Sequence, residues 1–137
     1  MASEAALLVQ QQLDAYNARD LGAYMRCWSE DCAYWELPDQ ALPDDAAALR
    51  RRQAARFREP DLHNRLRRRV ELSPGAAPDP EAEAAPPLAL SLVIDHETMT
   101  RTYPDGRGAV EVYAIYELAR GRITRAWLCL GTPQLAG

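Results

Sequence analysis

The sequence predicts an α+β fold formed by one domain that spans residues 1–137. Helical spacing of apolar residues recurs up to about residue 58, interrupted by one short strand pattern at 32–37, and alternating patterns typical of strands occupy most of the remainder. The two apolar runs at 110–118 and 123–130 also flank a short polar connection, as the strands of a hairpin do. Helices followed by paired strands indicate helices packed on a mostly antiparallel sheet.

Composition excludes several classes of function. A net charge of −4 argues against general nucleic-acid binding. No apolar run approaches the roughly 20 residues that a membrane span needs, and the start lacks a signal-peptide pattern, so we expect a cytoplasmic protein without membrane contact. The three cysteines lack metal-ligand spacing, so we expect neither a metal site nor a disulfide framework.

Three helices are predicted in the first part of the chain. Ser3 and Asp20 are expected N-caps of the first two, which end near residue 19 and at 29–31. Gln12 lies among the apolar positions of the first helix, so it faces the core or a pocket. The third begins at 43–45, and we expect its arginines to be largely solvated: Arg50, Arg51, Arg52, Arg56 and Arg58.

Strands are predicted at 32–37, 62–72 and 89–102, in addition to the hairpin. In the first of these, Tyr34 and Glu36 share one face. In the second, alternation predicts an apolar face (Leu62, Leu66, Val70, Leu72) and a solvated, mainly basic face (His63, Arg65, Arg67, Arg69, Glu71). The Pro-rich stretch 73–87 is interpreted as a loop insertion.

The hairpin predicts how the protein associates. Tyr113 and Ile115 alternate with the residues expected in the core, so they lie on the outer face of the sheet. Apolar side chains on a second face favour cover by a partner, and we therefore expect a homodimer through the outer sheet face.

The segments 13–20, 27–35 and 114–118, with Gly121-Arg122-Ile123, resemble the nuclear transport factor 2-like superfamily, in particular its SnoaL-like and ketosteroid-isomerase-like branches. The resemblance implies a cone-shaped α+β barrel, in which three N-terminal helices pack on a curved sheet around a pocket. It also implies isomerases, cyclases, hydrolases or dehydratases, or modules without activity, often as homodimers. On this resemblance Glu36 falls at the catalytic base and Gln12 at an oxyanion-binding tyrosine. Ala114 falls near a protonated acid, whose role an alanine cannot fill.

Two titratable residues are the candidate catalytic groups. Glu36, between Trp35 and Leu37, would be poorly solvated and suited to proton transfer, or else a structural acceptor bonded to backbone or an arginine. His96 falls on the strand face opposite Asp95 and Glu97, so the three form no ready metal cluster. His96 alone would carry protons at the cavity, or be a structural histidine.

Two functions remain open. Tyr16, Tyr34, Tyr116 and Trp127 would form an aromatic wall for substrate, unless they are plain core. The first function is a cofactor-free isomerase or cyclase, which performs acid/base chemistry on a small, mainly apolar carbonyl compound with Glu36 as base. The second is a non-catalytic ligand-binding or dimerisation module of the same fold.

Overall fold

The structure, a computed structural model, describes residues 3–37, 40–41, 43–72 and 91–136. The insertion predicted at 73–87 lies outside the described residues. The helices are α1 (Glu4–Ala18), α2 (Leu21–Arg26) and α3 (Ala46–Arg56). The strands are β1 (Trp28–Leu37), β2 (Gln40–Ala41), β3 (His63–Leu72), β4 (Ser91–Tyr103), β5 (Gly106–Ala119), β6 (Arg122–Leu130) and β7 (Gln134–Leu135). Within these ranges, no helix is long and apolar enough to cross a membrane.

The strands form one mixed, mostly antiparallel sheet, which confirms the predicted fold class. Its order is β2-β1-β6-β5-β4-β3, with β7 paired to β5, and only the β1–β6 pairing is parallel among the described strands. The helices cover the sheet face that carries Val110, Val112 and Ala114, all buried. This places the core between α1, α2 and α3 and the inner face of the sheet.

Side-chain caps start the helices where the sequence predicts. The Ser3 hydroxyl accepts a hydrogen bond from the Ala6 amide at 3.1 Å, and the Asp20 carboxylate accepts one from Ala23 at 3.1 Å. The predicted end of the second helix at 29–31 is wrong, because α2 ends at Arg26. Trp28 instead pairs with Ile123 of β6 and is buried, so pairing across the sheet overrides the helical spacing.

A bulge in β3 contradicts the predicted faces of that strand. The pairing with β4 shifts register between Leu66 and Arg68, and one extra residue reverses the alternation beyond it. Arg69 therefore turns inward beneath α1, whereas Val70 and Leu72 are 44% and 52% exposed. The expectation of one continuous solvated basic row fails beyond the bulge.

The arginines of α3 divide into two groups. Arg50 and Arg51, together with Arg58 just after the helix, are exposed as predicted. Arg52 and Arg56 are not solvated, since their side chains are only 21% and 18% exposed and both pair with glutamates. The prediction that all five are solvated is therefore wrong for the two that face β1 and the segment after α3.

Candidate functional site

A narrow cavity lies between the helices and the inner face of the sheet. Its volume is about 40 Å³, space for only a few water molecules. Five of the seven residues predicted for the site line it: Gln12, Tyr16, Tyr34, Glu36 and Tyr116. Other polar side chains in its lining are Gln53, Arg56, Asn64, Glu97 and Arg101. The cavity is therefore small, polar at several points and closely walled by aromatic rings.

Glu97 is the most unusual group in this lining. Its side chain, on β4, is 2% exposed, and its carboxyl makes no hydrogen bond within the described part of the chain. Burial raises the pKa of Glu97 to about 8, the neighbouring Asp95 charge raises it further, and Arg69 partly offsets both. Glu97 is therefore protonated near neutral pH and can donate a hydrogen bond into the cavity.

Asp95 supplies a fixed negative charge close to Glu97. Asp95 is fully buried, and Arg69 binds it in a bidentate pair, with Nε to Oδ1 at 2.7 Å and Nη2 to Oδ2 at 2.8 Å. The third nitrogen of Arg69 donates to Gln10 Oε1 of α1 at 2.9 Å. The ion pair and the bond to Gln10 join β3, β4 and α1 beside the cavity.

Tyr16 brings several cavity groups together. Its hydroxyl donates to Met99 Sδ at 3.5 Å, a weak acceptor that a stronger one could replace. Burial raises the pKa of Tyr16, the adjacent guanidinium groups of Arg56 and Arg101 lower it, and the Glu97 carboxyl raises it. The phenol stays protonated, so Tyr16 is a second hydrogen-bond donor among charged neighbours.

Glu36 lies in the cavity lining as part of an ion pair. Arg52 Nη2 donates to Glu36 Oε1 at 2.6 Å, and the same guanidinium lies 5.1 Å from the centre of the Tyr34 ring. The sequence left open whether this carboxylate is free or bonded to an arginine. The structure shows that it is bonded to Arg52 and still borders the cavity.

His96 and Trp127 lie outside the cavity, on the outer face of the sheet. His96 Nε2 is 2.5 Å from Glu111 Oε2, and its ring stacks on Tyr113 with centroids 4.6 Å apart. Trp127 stacks on Trp35 at 5.4 Å and an interplanar angle of 9°. Because side chains alternate along a strand, the inward direction of Glu97 sends its neighbour His96 outward. The prediction that His96 and Trp127 line the cavity is therefore wrong, because both side chains lie on the opposite face of the sheet.

Glu97 was not among the site residues predicted from the sequence, although Asp95 and Glu97 were placed together on one face. The available signal was two acids at alternate positions, on the strand face that also carries Val93 and Met99. Among the residues that the structure describes, no group of three or more His, Cys, Asp or Glu side chains could hold a metal ion. A buried carboxyl with a raised pKa beside a cavity is a candidate for proton transfer.

Comparison with known proteins identifies the fold. No family model matches the chain, and no curated protein matches it in sequence. It is similar to a protein with a ketosteroid isomerase-like fold from Catenulispora acidiphila, at 11% identity and a TM-score of 0.64, covering 88% of this chain and 82% of that one. It is also similar to an LEH-like epoxide hydrolase from M. tuberculosis, at 15% identity and a TM-score of 0.63, covering 93% of this chain and 83% of that one. A third similar structure is an NTF2-like protein of unknown function from Cytophaga hutchinsonii, at 12% identity and a TM-score of 0.62, covering 96% of this chain and 92% of that one.

These similarities confirm the resemblance at the level of the fold. The chain has the cone-shaped α+β fold of nuclear transport factor 2-like proteins, with helices packed on a mostly antiparallel sheet. Identities this low carry no activity from one protein to another, because the same fold supports different chemistries. Function must therefore be argued from the side chains of the cavity.

Proposed function

Because a chain of this fold holds a protonated carboxyl in its cavity, we propose that it is an enzyme performing acid/base chemistry on a small, mainly apolar carbonyl compound. The observation that carries the proposal is Glu97, which is buried, lines the cavity and has a pKa raised to about 8. A neutral acid at physiological pH can stabilise an oxyanion that forms on a substrate carbonyl. Isomerisation and cyclisation both pass through such an oxyanion.

The cavity residues suit the two halves of such a reaction. The Glu36 carboxylate would take a proton from the carbon next to the carbonyl, and the carbonyl oxygen would become an oxyanion. Protonated Glu97 and the Tyr16 hydroxyl would donate hydrogen bonds to that oxygen, the latter in place of its bond to Met99. Return of the proton at another carbon would complete an isomerisation.

Glu97 also answers the difficulty raised by Ala114. The resemblance puts a protonated acid near Ala114, which pairs with Asp95 of β4, while Glu97 two residues further along pairs with Val112. An acid on the neighbouring strand thus reaches the same inner face of the sheet. The proposed oxyanion site therefore uses a protonated acid, as the family pattern does, but takes it from β4 instead of β5.

The proposal predicts a measurable proton exchange. In deuterated water, the protein should speed exchange of the protons next to the carbonyl in small ketones, tested as a panel of neutral and carboxylate-bearing compounds. Glu36→Gln should lower this rate by on the order of 10²-fold, because the proton acceptor is lost. Proton NMR of the ketone signals measures the rate directly.

Glu30→Gln is the matched control, since Glu30 lies on the same strand but is exposed. It should leave the exchange rate unchanged, and thermal melting of both variants reports whether the fold is kept. The wild-type rate should also fall above about pH 8, where Glu97 loses its proton. An unchanged rate in Glu36→Gln would remove the catalytic assignment of that residue.

The small cavity favours a second candidate function, a non-catalytic binding or dimerisation module. About 40 Å³ is far below the several hundred Å³ typical of pockets for drug-sized ligands. The exchange experiment separates the two candidates. An enzyme accelerates exchange for at least one ketone of the panel, whereas a module accelerates none.

We also propose that the protein is a homodimer formed through the outer face of the sheet. Tyr113 is 49% exposed there, beside the stacked pair of Trp35 and Trp127. Leu37, which alternates with inward-facing Glu36 on β1, is 43% exposed on the same outer face. Aromatic and apolar side chains grouped in this way are typical of protein interfaces.

Tyr113→Arg should convert this dimer to a monomer, because a charge would be buried at the interface without a partner. Light scattering at micromolar concentration should give twice the 15.3 kDa chain mass for the wild type and the single mass for the variant. Leu7→Arg is the control, since Leu7 is 51% exposed on α1, away from the outer face of the sheet. A wild-type protein that is monomeric would refute the dimer.

A further inference from the structure

Three arginines surround the cavity on the side of α3. Arg52 and Arg56 come from α3, and Arg101 comes from β4. Arg56 and Arg101 line the cavity itself. The two carboxylates that pair with these three guanidinium groups in the described part of the chain are Glu36 and Glu59.

The pairing leaves Arg56 without a carboxylate of its own. Arg101 binds Glu59 through two parallel hydrogen bonds from one edge of its guanidinium group, Nη2 to Oε1 at 2.5 Å and Nε to Oε2 at 3.1 Å. Arg56 Nε approaches the same Oε1 only to 3.6 Å, which is beyond hydrogen-bond distance. Glu59 is thus occupied by Arg101, and Arg56 contributes a positive charge that no carboxylate within hydrogen-bond distance neutralises.

The Arg56 charge, which Glu59 compensates only in part across 3.6 Å, is poorly solvated. The Arg56 side chain is only 18% exposed and lies beside the buried hydroxyl of Tyr16. A cation shielded from water without a bonded anion is unfavourable, so an anion that enters the cavity gains more there than at an exposed arginine. We infer that the ligand of this cavity is a small monocarboxylate, whose carboxylate group binds to Arg56 while its apolar part enters between Met99, Val112 and Leu128.

The inference rests on the proposed function, because it places the ligand in the same cavity, and it narrows the substrate class to carbonyl compounds that carry one carboxylate. Three guanidinium groups face two glutamates, and Glu97 is neutral near pH 7, so one negative charge balances the site. A doubly charged phosphate would leave one charge unbalanced. The planar guanidinium also matches the two oxygens of a carboxylate.

The surface near the cavity favours the approach of an anion, although the whole chain carries −4. Arg50 and Arg51 of α3 are exposed, as is Arg58 just after it, and none of them has an ion pair within the described residues. A local excess of one sign of charge next to a cleft raises the concentration of oppositely charged ligands. Binding of an anion should accordingly weaken as salt is added.

The test compares butyrate with butyramide, which has nearly the same shape and no charge. Titrations followed by protein NMR should show that the wild type binds butyrate roughly 10-fold more tightly than butyramide, through a charged hydrogen bond. Arg56→Gln should abolish this preference, and Arg56→Lys should keep part of it because the charge remains. Arg58→Gln, which removes an exposed arginine two residues away, should leave the preference intact.

Several results would overturn the inference. The first is that the wild type binds the two probes equally, and the second is that folded Arg56→Gln still prefers butyrate. The third is that butyrate does not bind up to about 50 mM, a concentration well above the millimolar dissociation constant expected for so small a ligand. Tighter binding of methyl phosphate than of butyrate would also overturn it. A protein that prefers butyrate yet exchanges no ketone protons would retain this site and lose only the proposed activity.

Discussion

Replacing Glu97 with glutamine should remove a fall in stability that the wild-type protein undergoes as the pH rises from about 4.5 to about 8. The folded protein holds the Glu97 proton up to about pH 8, whereas the ordinary pKa of a glutamate side chain is 4.5. The stabilising effect of the retained proton is therefore fully present below pH 4.5 and is lost as the pH rises through about 8. A shift of this size corresponds to a loss of about 5 kcal/mol.

Urea unfolding at the two ends of this pH interval measures the effect. The free energy of unfolding should fall more steeply with pH in the wild type than in Glu97→Gln, and the difference between the two curves isolates this carboxyl from all other titrating groups. Glu30→Gln provides a control for the loss of one carboxylate, because Glu30 is exposed. Parallel curves for the wild type and Glu97→Gln would mean that Glu97 titrates normally and cannot be the neutral acid of the cavity.

The helix starts and the alternation of side chains along the strands were predictable from the sequence. Ser3 and Asp20 start helices because their side chains bond amides three residues later, which is a local property of the sequence. Alternation also predicted that Glu97 lies opposite His96 on β4. It could not predict which of the two faces inward, since that depends on the strands and helices packed against β4.

Contacts between distant residues were not predictable in the same way. The bulge in β3 exists only in relation to β4, so the sequence of β3 alone indicates one continuous alternation and misplaces Arg69. Arg52 and Glu36 belong to α3 and β1, and an arginine partner was one of the open alternatives for Glu36. The proposed acid/base site depends on such packing between elements, which also decides that Glu97, and not His96, faces inward.

Arg69→Met should destabilise the protein by about 3–5 kcal/mol, because it leaves a buried charge without its partner. Asp95 is fully buried, and both of its carboxylate oxygens accept hydrogen bonds from Arg69. Methionine fills much of the same space but offers no donor, so Asp95 must remain charged and unpaired or take up a proton. Urea unfolding at neutral pH gives the loss directly.

Two further variants decide whether the buried charge causes this loss. Arg67→Met removes an exposed arginine from the same strand, whose Nε donates to the Thr98 hydroxyl at 2.8 Å, so it should change stability by no more than about 0.5 kcal/mol. Arg69→Met combined with Asp95→Leu removes both charges and should recover most of the loss, because apolar replacement of a buried ion pair is often nearly neutral. If the double variant is as unstable as Arg69→Met alone, the loss comes from packing or from the bond to Gln10 rather than from the stranded charge of Asp95.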